Sequence, residues 1–309
     1  MDDVTHALAG TLIARTHPSE RKGLTLACVA GALIPDIDIV LTLWGKSFYV
    51  TEHRGFTHSL LGLAPMSFLA AGLAWLIVRK KKDRASFLSL WTLALLGVIS
   101  HILLDWCTSW GTMILWPDRT RFALDHLFII DLWYAACLAL PLAAGFLARR
   151  HRMAFSMVGW GLVLGYHVLA AYNHHQALRA MPQEPAKSWV VAFPQPFSPF
   201  RWSVFAREDG TLWNRRLDLL KASNDPAQVE WKDPPLTPEL HEVLDSPNGK
   251  RYLWFARVPV WEEEKQADGS FEVRFWDLRF QRSWDKDQAG RGFGTVFQVK
   301  DGRVTGGDI

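Results

Sequence analysis

The chain has 309 residues, 49% of them hydrophobic and 21% charged, with a formal net charge of +3 and a mean hydropathy of +0.02. That near-zero average hides two unlike halves, because long apolar runs fill residues 1–175 while the polar, Pro-rich remainder has none. The small charge sits in short loops, which excludes the basic stripe that nucleic-acid binding needs. The polar half also lacks cysteine, which excludes a disulfide framework or a Cys-based zinc motif there.

The chain opens MDDVTHALAG, with acids where a secretory signal carries positive charge, so no cleaved signal is expected. About 20 apolar residues of helix cross a bilayer core. Residues 4–15 form a helix too short to cross alone, and Leu24–Trp44 is apolar apart from Asp36 and Asp38. Residues 57–78, 86–106, 125–148 and 153–173 qualify as further spans. The expected fold is thus a multi-pass α-helical membrane domain over residues 1–178, with about five spanning helices and a short N-terminal helix.

Residues 179–200 hold Pro182, Pro185, Pro194, Pro196 and Pro199 and read as a stiff, extended linker. Residues 201–309 carry β-like runs at 201–206, 212–217, 251–258, 270–280 and 294–299. Asp209-Gly210, Asp268-Gly269 and Asp301-Gly302 are hairpin turn signals, and Thr237-Pro238 opens a short helix ending near Leu244. This half predicts a small, mainly antiparallel β soluble domain, whose tryptophans are core rather than the lining of a groove. It carries one histidine, His241, and no catalytic constellation.

Orientation follows from the basic loops. Arg15, Arg21 and Lys22 form one, RKKKDR at 79–84 a second, and RRHR at 149–152 a third. Alternating helices place all three on one side, the cytoplasmic side of a bacterial inner membrane. The acidic start, the loops 45–56 and 107–124, and everything after Asn173 then fall outside. The ionisable groups in or beside the apolar segments gather at that outer face.

Those groups form several motifs. His101 and Asp105 are four residues apart in an apolar helix, so imidazole and carboxylate share a face and can bind one ion or simply each other. His53-Arg54-Gly55-Phe56-Thr57-His58 offers two imidazoles, a glycine for a tight turn and Thr57 as a helix cap, or is solvated surface. Arg54 suits an anionic oxygen such as phosphate. Pro35 breaks the helix before Asp36 and Asp38, two carboxylates that repel unless a cation or proton joins them, or that reach water from a kink. Asp3 and His6 are either a ligand pair or a helix start favouring acids. Asp125 and His126 read as interfacial, with Asp131 a turn deeper and nearer the cluster. His17 and His151 read as solvated, as do His174 and His175, while His167 reads as a core hydrogen-bonder.

The elements D-x-x-T-H, P-D-I-D, H-R-G-F-T-H-S and H-x-x-L-D-W-x-T-x-W-G-T, spread over residues 1–175, resemble the bacterial inner-membrane family of membrane-bound metal-dependent hydrolases. The resemblance implies a metal site built from His6, Asp36, Asp38, His53, His58, His101 and Asp105, to which the position of Asp131 adds an eighth candidate. The HxxxD element is also distantly similar to that of zinc-dependent phospholipases C and single-strand nucleases, which implies phosphoester hydrolysis. On this reading divalent ions, zinc first and manganese second, activate a water. Arg54 grips a phosphate oxygen, and Asp38 and Asp105 complete the catalytic set. The substrate expected at the outer interface is a membrane lipid headgroup or lipid-linked phosphate, and no nucleic-acid partner is expected. The alternatives are a non-catalytic metal-binding scaffold and an ion or solute transporter. Polar groups confined to one face argue against a path through the full membrane depth.

Overall fold

An apolar sequence in a membrane must satisfy its backbone internally, and the N-terminal half does so as helices. The structure, a computed structural model, describes every residue except 182–188, 222–225, 227, 281–293 and 308–309. Helix α1 (Asp3–Thr16) starts where Asp2 caps it, its carboxylate accepting from Thr5 N at 3.1 Å. Helix α2 (Leu24–Leu33) runs into a 3-10 stretch, Ile34–Trp44, because Pro35 removes a backbone donor. Short α3 (Lys46–Glu52), α4 (Leu63–Val78), α5 (Phe87–Trp106), α6 (Leu132–Leu147) and α7 (Arg152–Arg179) complete the helical part.

Among the described residues, three helical segments are long and apolar enough to cross a membrane: Leu24–Trp44, Phe87–Trp106 and Arg149–Arg179. A fourth counts if Ser47–His58 and Leu63–Val78, bent by 82°, are taken as one broken span. These three or four candidate spans do not confirm the expected total of about five. Residues 57–78 are not one helix, since Leu60 N bonds Ile114 O at 3.0 Å and Gly62 sits where a Cβ would lie 2.1 Å from Phe56 O. Residues 125–131 stay non-helical, with His126 N and Leu127 N bound to Cys107 O, so α6 begins only at Leu132. Its 16 residues span about 24 Å, short of a bilayer core.

The helices pack in two groups around α1. Ala27, Cys28, Ala70, Ala74, Leu90 and Ala94 join α2, α4 and α5, while Leu12, Leu104, Tyr134, Leu138 and Val163 join α1 to α5, α6 and α7. The three basic loops meet at one end. Lys22 N donates to Asp83 O at 3.2 Å, and Arg152 reaches Pro18 O at 3.2 Å and the Glu20 carboxylate at 2.7 Å.

The described residues of the C-terminal part form two four-stranded antiparallel meanders. The first is β1 (Trp189–Pro194), β2 (Arg201–Glu208), β3 (Thr211–Asp218) and β4 (Gln228–Lys232). The second is β5 (Pro259–Lys265), β6 (Phe271–Asp277), β7 (Thr295–Lys300) and β8 (Arg303–Gly306), preceded by α8 (Pro238–Asp245) and α9 (Pro247–Phe255). Asp209-Gly210 and Asp301-Gly302 adopt positive φ, the hairpin geometry their sequence signals. Two expectations are corrected. Residues 251–258, read as a strand, mostly form α9, because Ser246 caps it at Gly249 N and Pro247 sits in its first turn. The stretch read as linker contains β1, whose Val190, Val191 and Phe193 pack on the sheets; Pro182 and Pro185 lie outside the described residues.

Candidate metal centre

At the end of the bundle opposite the basic loops, three segments converge. Helix α5 contributes His101 and Asp105, one turn apart and both fully buried. The 3-10 stretch after Pro35 contributes Asp36 and Asp38, and the turn after α3 contributes His53, Arg54 and His58. Asp36, His58, His101 and Asp105 each place one ligand atom within 4.8 Å of all the others. His58 Nε2 lies 3.0 Å from His101 Nε2, 3.3 Å from Asp36 Oδ1 and 3.3 Å from Asp105 Oδ2, and His101 Nε2 lies 3.4 Å from Asp105 Oδ2. A tetrahedral shell with bonds of about 2.1 Å has edges of roughly 3.4 Å, so the spacing is that of a metal ligand set.

The surrounding bonds orient these donors. His101 Nδ1 donates to Ala32 O at 2.7 Å, which leaves the Nε2 lone pair facing the other ligands. Asp38 accepts from Arg54 N and Thr57 Oγ1, both at 3.1 Å, and pairs with His53 Nδ1 at 2.9 Å. Asp36, Asp38 and His53 form a second grouping of the same kind, sharing Asp36 with the first. The donor chemistry fits divalent ions such as zinc or manganese, and Asp105 Oδ2, fully buried, has no hydrogen-bond partner. Asp36 and Asp38 face the imidazoles of His53, His58 and His101, and Asp105 also meets the Arg54 guanidinium and the Met1 amino group.

Other expected residues fall differently. His6 stacks on His101 with ring centroids 3.7 Å apart, and its Nε2 lies 3.3 Å from Asp105 Oδ1, beside rather than within the groupings. Asp3 is exposed in the first turn of α1. Asp131 is away from the cluster: it caps α6 at Trp133 N and Tyr134 N and accepts from the Tyr166 hydroxyl at 2.8 Å, so its carboxylate is fully committed. Arg54 is buried against Asp105 (3.0 Å) and Thr108 (3.0 Å) rather than facing an open space. It, not Gly55, takes the left-handed turn, at φ 61°. Thr57 caps no helix and serves Asp38 instead.

The sequence reading missed the C-terminal domain as a neighbour of this site. Val50 and Trp110 enter the core of Tyr252, Phe255 and Phe275, and the Trp110 ring lies 5.8 Å edge-on from His53. Arg257 grips Asp125 with two bonds of 2.5 and 2.8 Å, and Arg279 donates to Ser109 O at 2.6 Å. A cavity of about 510 Å³ between the two parts is lined by Arg119, Arg121, Arg257, Trp110 and Trp254. Arg121 donates from there to His53 O at 3.1 Å. Burial and then the neighbouring Arg54 charge push its guanidinium down to about 9, still charged at neutral pH. No local motif announces these contacts; only the arginines themselves are visible in the sequence.

Residues 1–177 match a family described as YdjM inner membrane protein. Over nearly its whole length the chain is similar to uncharacterized protein YfhP of Bacillus subtilis (strain 168), 26% identical over 306 residues that cover 91% of this chain and 87% of that one. It is 33% identical over 107 residues to inner membrane protein YbcI of Escherichia coli (strain K12), covering 32% of this chain and 58% of that protein. Inner membrane protein YdjM of the same organism is 33% identical over 112 residues, 33% of this chain and 53% of that protein. The chain thus matches a little over half the length of each E. coli relative. No solved structure matches the chain.

Proposed function

The chain belongs to the YdjM inner membrane protein family, and from that premise we propose that it is a membrane-embedded, metal-dependent phosphoester hydrolase acting at the outer face. The observation that carries the reading is the pair of ligand groupings sharing Asp36, whose side chains would hold divalent ions beside one another. When bound, such ions polarise a phosphoryl oxygen and supply hydroxide from water near neutral pH.

The chain's own residues do the rest. Asp36, a quarter exposed, is the ligand nearest the surface and marks the side of substrate entry. Around it Ile37, Ile39, Val40, Leu43 and Trp44 are exposed, an apolar rim along which a lipid tail can lie while its headgroup reaches Asp36. Ala32 O and Asp38 hold the His101 and His53 rings in place, and Arg54 balances the Asp105 charge as a positioning residue. His6 is the nearest further donor. The arginine-lined cavity beside His53 suits the anionic remainder of a headgroup.

Full burial of His58, His101 and Asp105 favours a second reading, a closed site that only braces the helices. Metal analysis of detergent-purified wild type, His58→Ala and His101→Ala, with turnover of bis(p-nitrophenyl) phosphate and vesicle-borne phospholipids, separates the two. Divalent metal and hydrolysis lost together in both variants support catalysis. Stoichiometric metal with no turnover on any phosphoester overturns it in favour of the brace.

A further inference from the structure

A second cluster of metal-ligating groups lies outside the centre just described, and it contains sulfur. Cys107, at the C-terminal end of α5, His126, in the segment before α6, and His167, in α7, each place one ligand atom within 4.8 Å of the other two. We propose that Cys107, His126 and His167 form a separate thiolate–imidazole site for a borderline-soft ion, zinc in the first instance.

The backbone builds this site. His126 N and Leu127 N both donate to Cys107 O, at 3.1 and 3.0 Å, so the cysteine and the first histidine are held side by side in a chain segment with no helix of its own. His126 Nε2 and His167 Nδ1 face each other at 3.2 Å. Without an ion, two imidazole nitrogens at that distance share a single proton; with one, both lone pairs are used. The remaining ring nitrogen of His167 is anchored as metal-bound imidazoles usually are. His167 Nε2 lies 3.1 Å from the Tyr134 hydroxyl. Cys107 is buried while both histidines are half-buried, so an ion can arrive from the histidine side.

One sulfur and two nitrogens suit zinc better than the hard, oxygen-preferring ions, and they set this site apart from the nitrogen and oxygen donors of the Asp36 centre. Its place in the fold defines its role. The ion would tie the end of α5, two residues beyond Asp105, to α7 across the only described non-helical stretch between α5 and α6. It would brace the segment that carries Asp125 to the C-terminal domain.

Cobalt(II) reports a thiolate ligand directly, through a near-ultraviolet sulfur-to-cobalt charge-transfer band. Metal-stripped full-length protein titrated with cobalt is expected to show that band in wild type and in His101→Ala, which lacks a ligand of the other centre and has no sulfur to lose there. The band is expected to vanish in Cys107→Ser and in His126→Gln, and to persist in Cys137→Ser. Zinc content in the His101→Ala background is expected to fall by one equivalent per chain when Cys107→Ser is added. No charge-transfer band in reduced wild type, or a band that survives Cys107→Ser, overturns the proposal and leaves the phosphoester reading untouched.

Discussion

Asp105 shows how much of the site rests on one side chain. It is fully buried, offers Oδ2 to the His58 and His101 nitrogens, and receives Arg54 and the Met1 amino group on Oδ1. Asparagine at this position keeps the shape, removes the charge and leaves the Arg54 guanidinium buried without its partner. Breaking one side of a buried ion pair costs about 3–5 kcal/mol, so Asp105→Asn is expected to lower the thermal midpoint sharply and to lose bound metal. A wild-type midpoint for that variant would mean that Arg54 has another counter-charge. Asp131 gives the opposite case. Since it caps α6 and bonds Tyr166, Asp131→Ala is expected to retain full metal content while losing about 1–2 kcal/mol of stability. Metal analysis beside a melting curve checks both halves of that statement.

At the scale of elements, the site depends on how closely α2 and α5 approach. A Cβ on Gly31 would lie 2.1 Å from Ala94 O, and one on Gly97 would lie 2.2 Å from Cys28 O, so the two backbones touch where any side chain would part them. Gly97 is one turn before His101, and Ala32, beside Gly31, supplies the carbonyl that orients the His101 ring. Gly97→Val is therefore expected to push α2 outward, free His101 Nδ1 and lower metal affinity by roughly 10–100-fold, the usual cost of losing an outer-shell partner. Metal titration of purified Gly97→Val against wild type tests this, and unchanged affinity would count against the close-packed contact as the support of the ring.

The same helices explain what could be read beforehand. A four-residue spacing in an apolar run places His101 and Asp105 on one face whatever the tertiary fold, and Pro35 announces the change of helix type that turns Asp36 and Asp38 toward them. The break at 59–62 and the late start of α6 were not legible, because both arise from bonds to distant partners, Ile114 O and Cys107 O. Asp131 was misplaced for the same reason, since depth along an assumed continuous helix says nothing about a residue that in fact caps a later one. His126 and His167 look unremarkable in sequence, lying 41 residues apart, and only the packing of α7 brings them together.

For the whole molecule, the arrangement is polar: three basic loops at one end, and the candidate metal centre beneath the C-terminal sheets at the other. Lys and Arg in short loops are retained on the cytoplasmic side, so this polarity predicts that the centre and both sheets face outward. A cysteine introduced at exposed Asp301, in the β7–β8 turn, is then expected to react with a membrane-impermeant maleimide in intact spheroplasts. One introduced at exposed Lys81, in the α4–α5 loop, is expected to react only after lysis. Native Cys28 and Cys107 are buried and contribute little background, and Cys137→Ser removes the half-exposed third. The reverse labelling pattern would place the site in the cytoplasm and rule out an outer-leaflet headgroup as substrate. It would leave the candidate ligand set unchanged, because its geometry is set by α2, α5 and the turn after α3 and not by the direction in which the bundle is inserted.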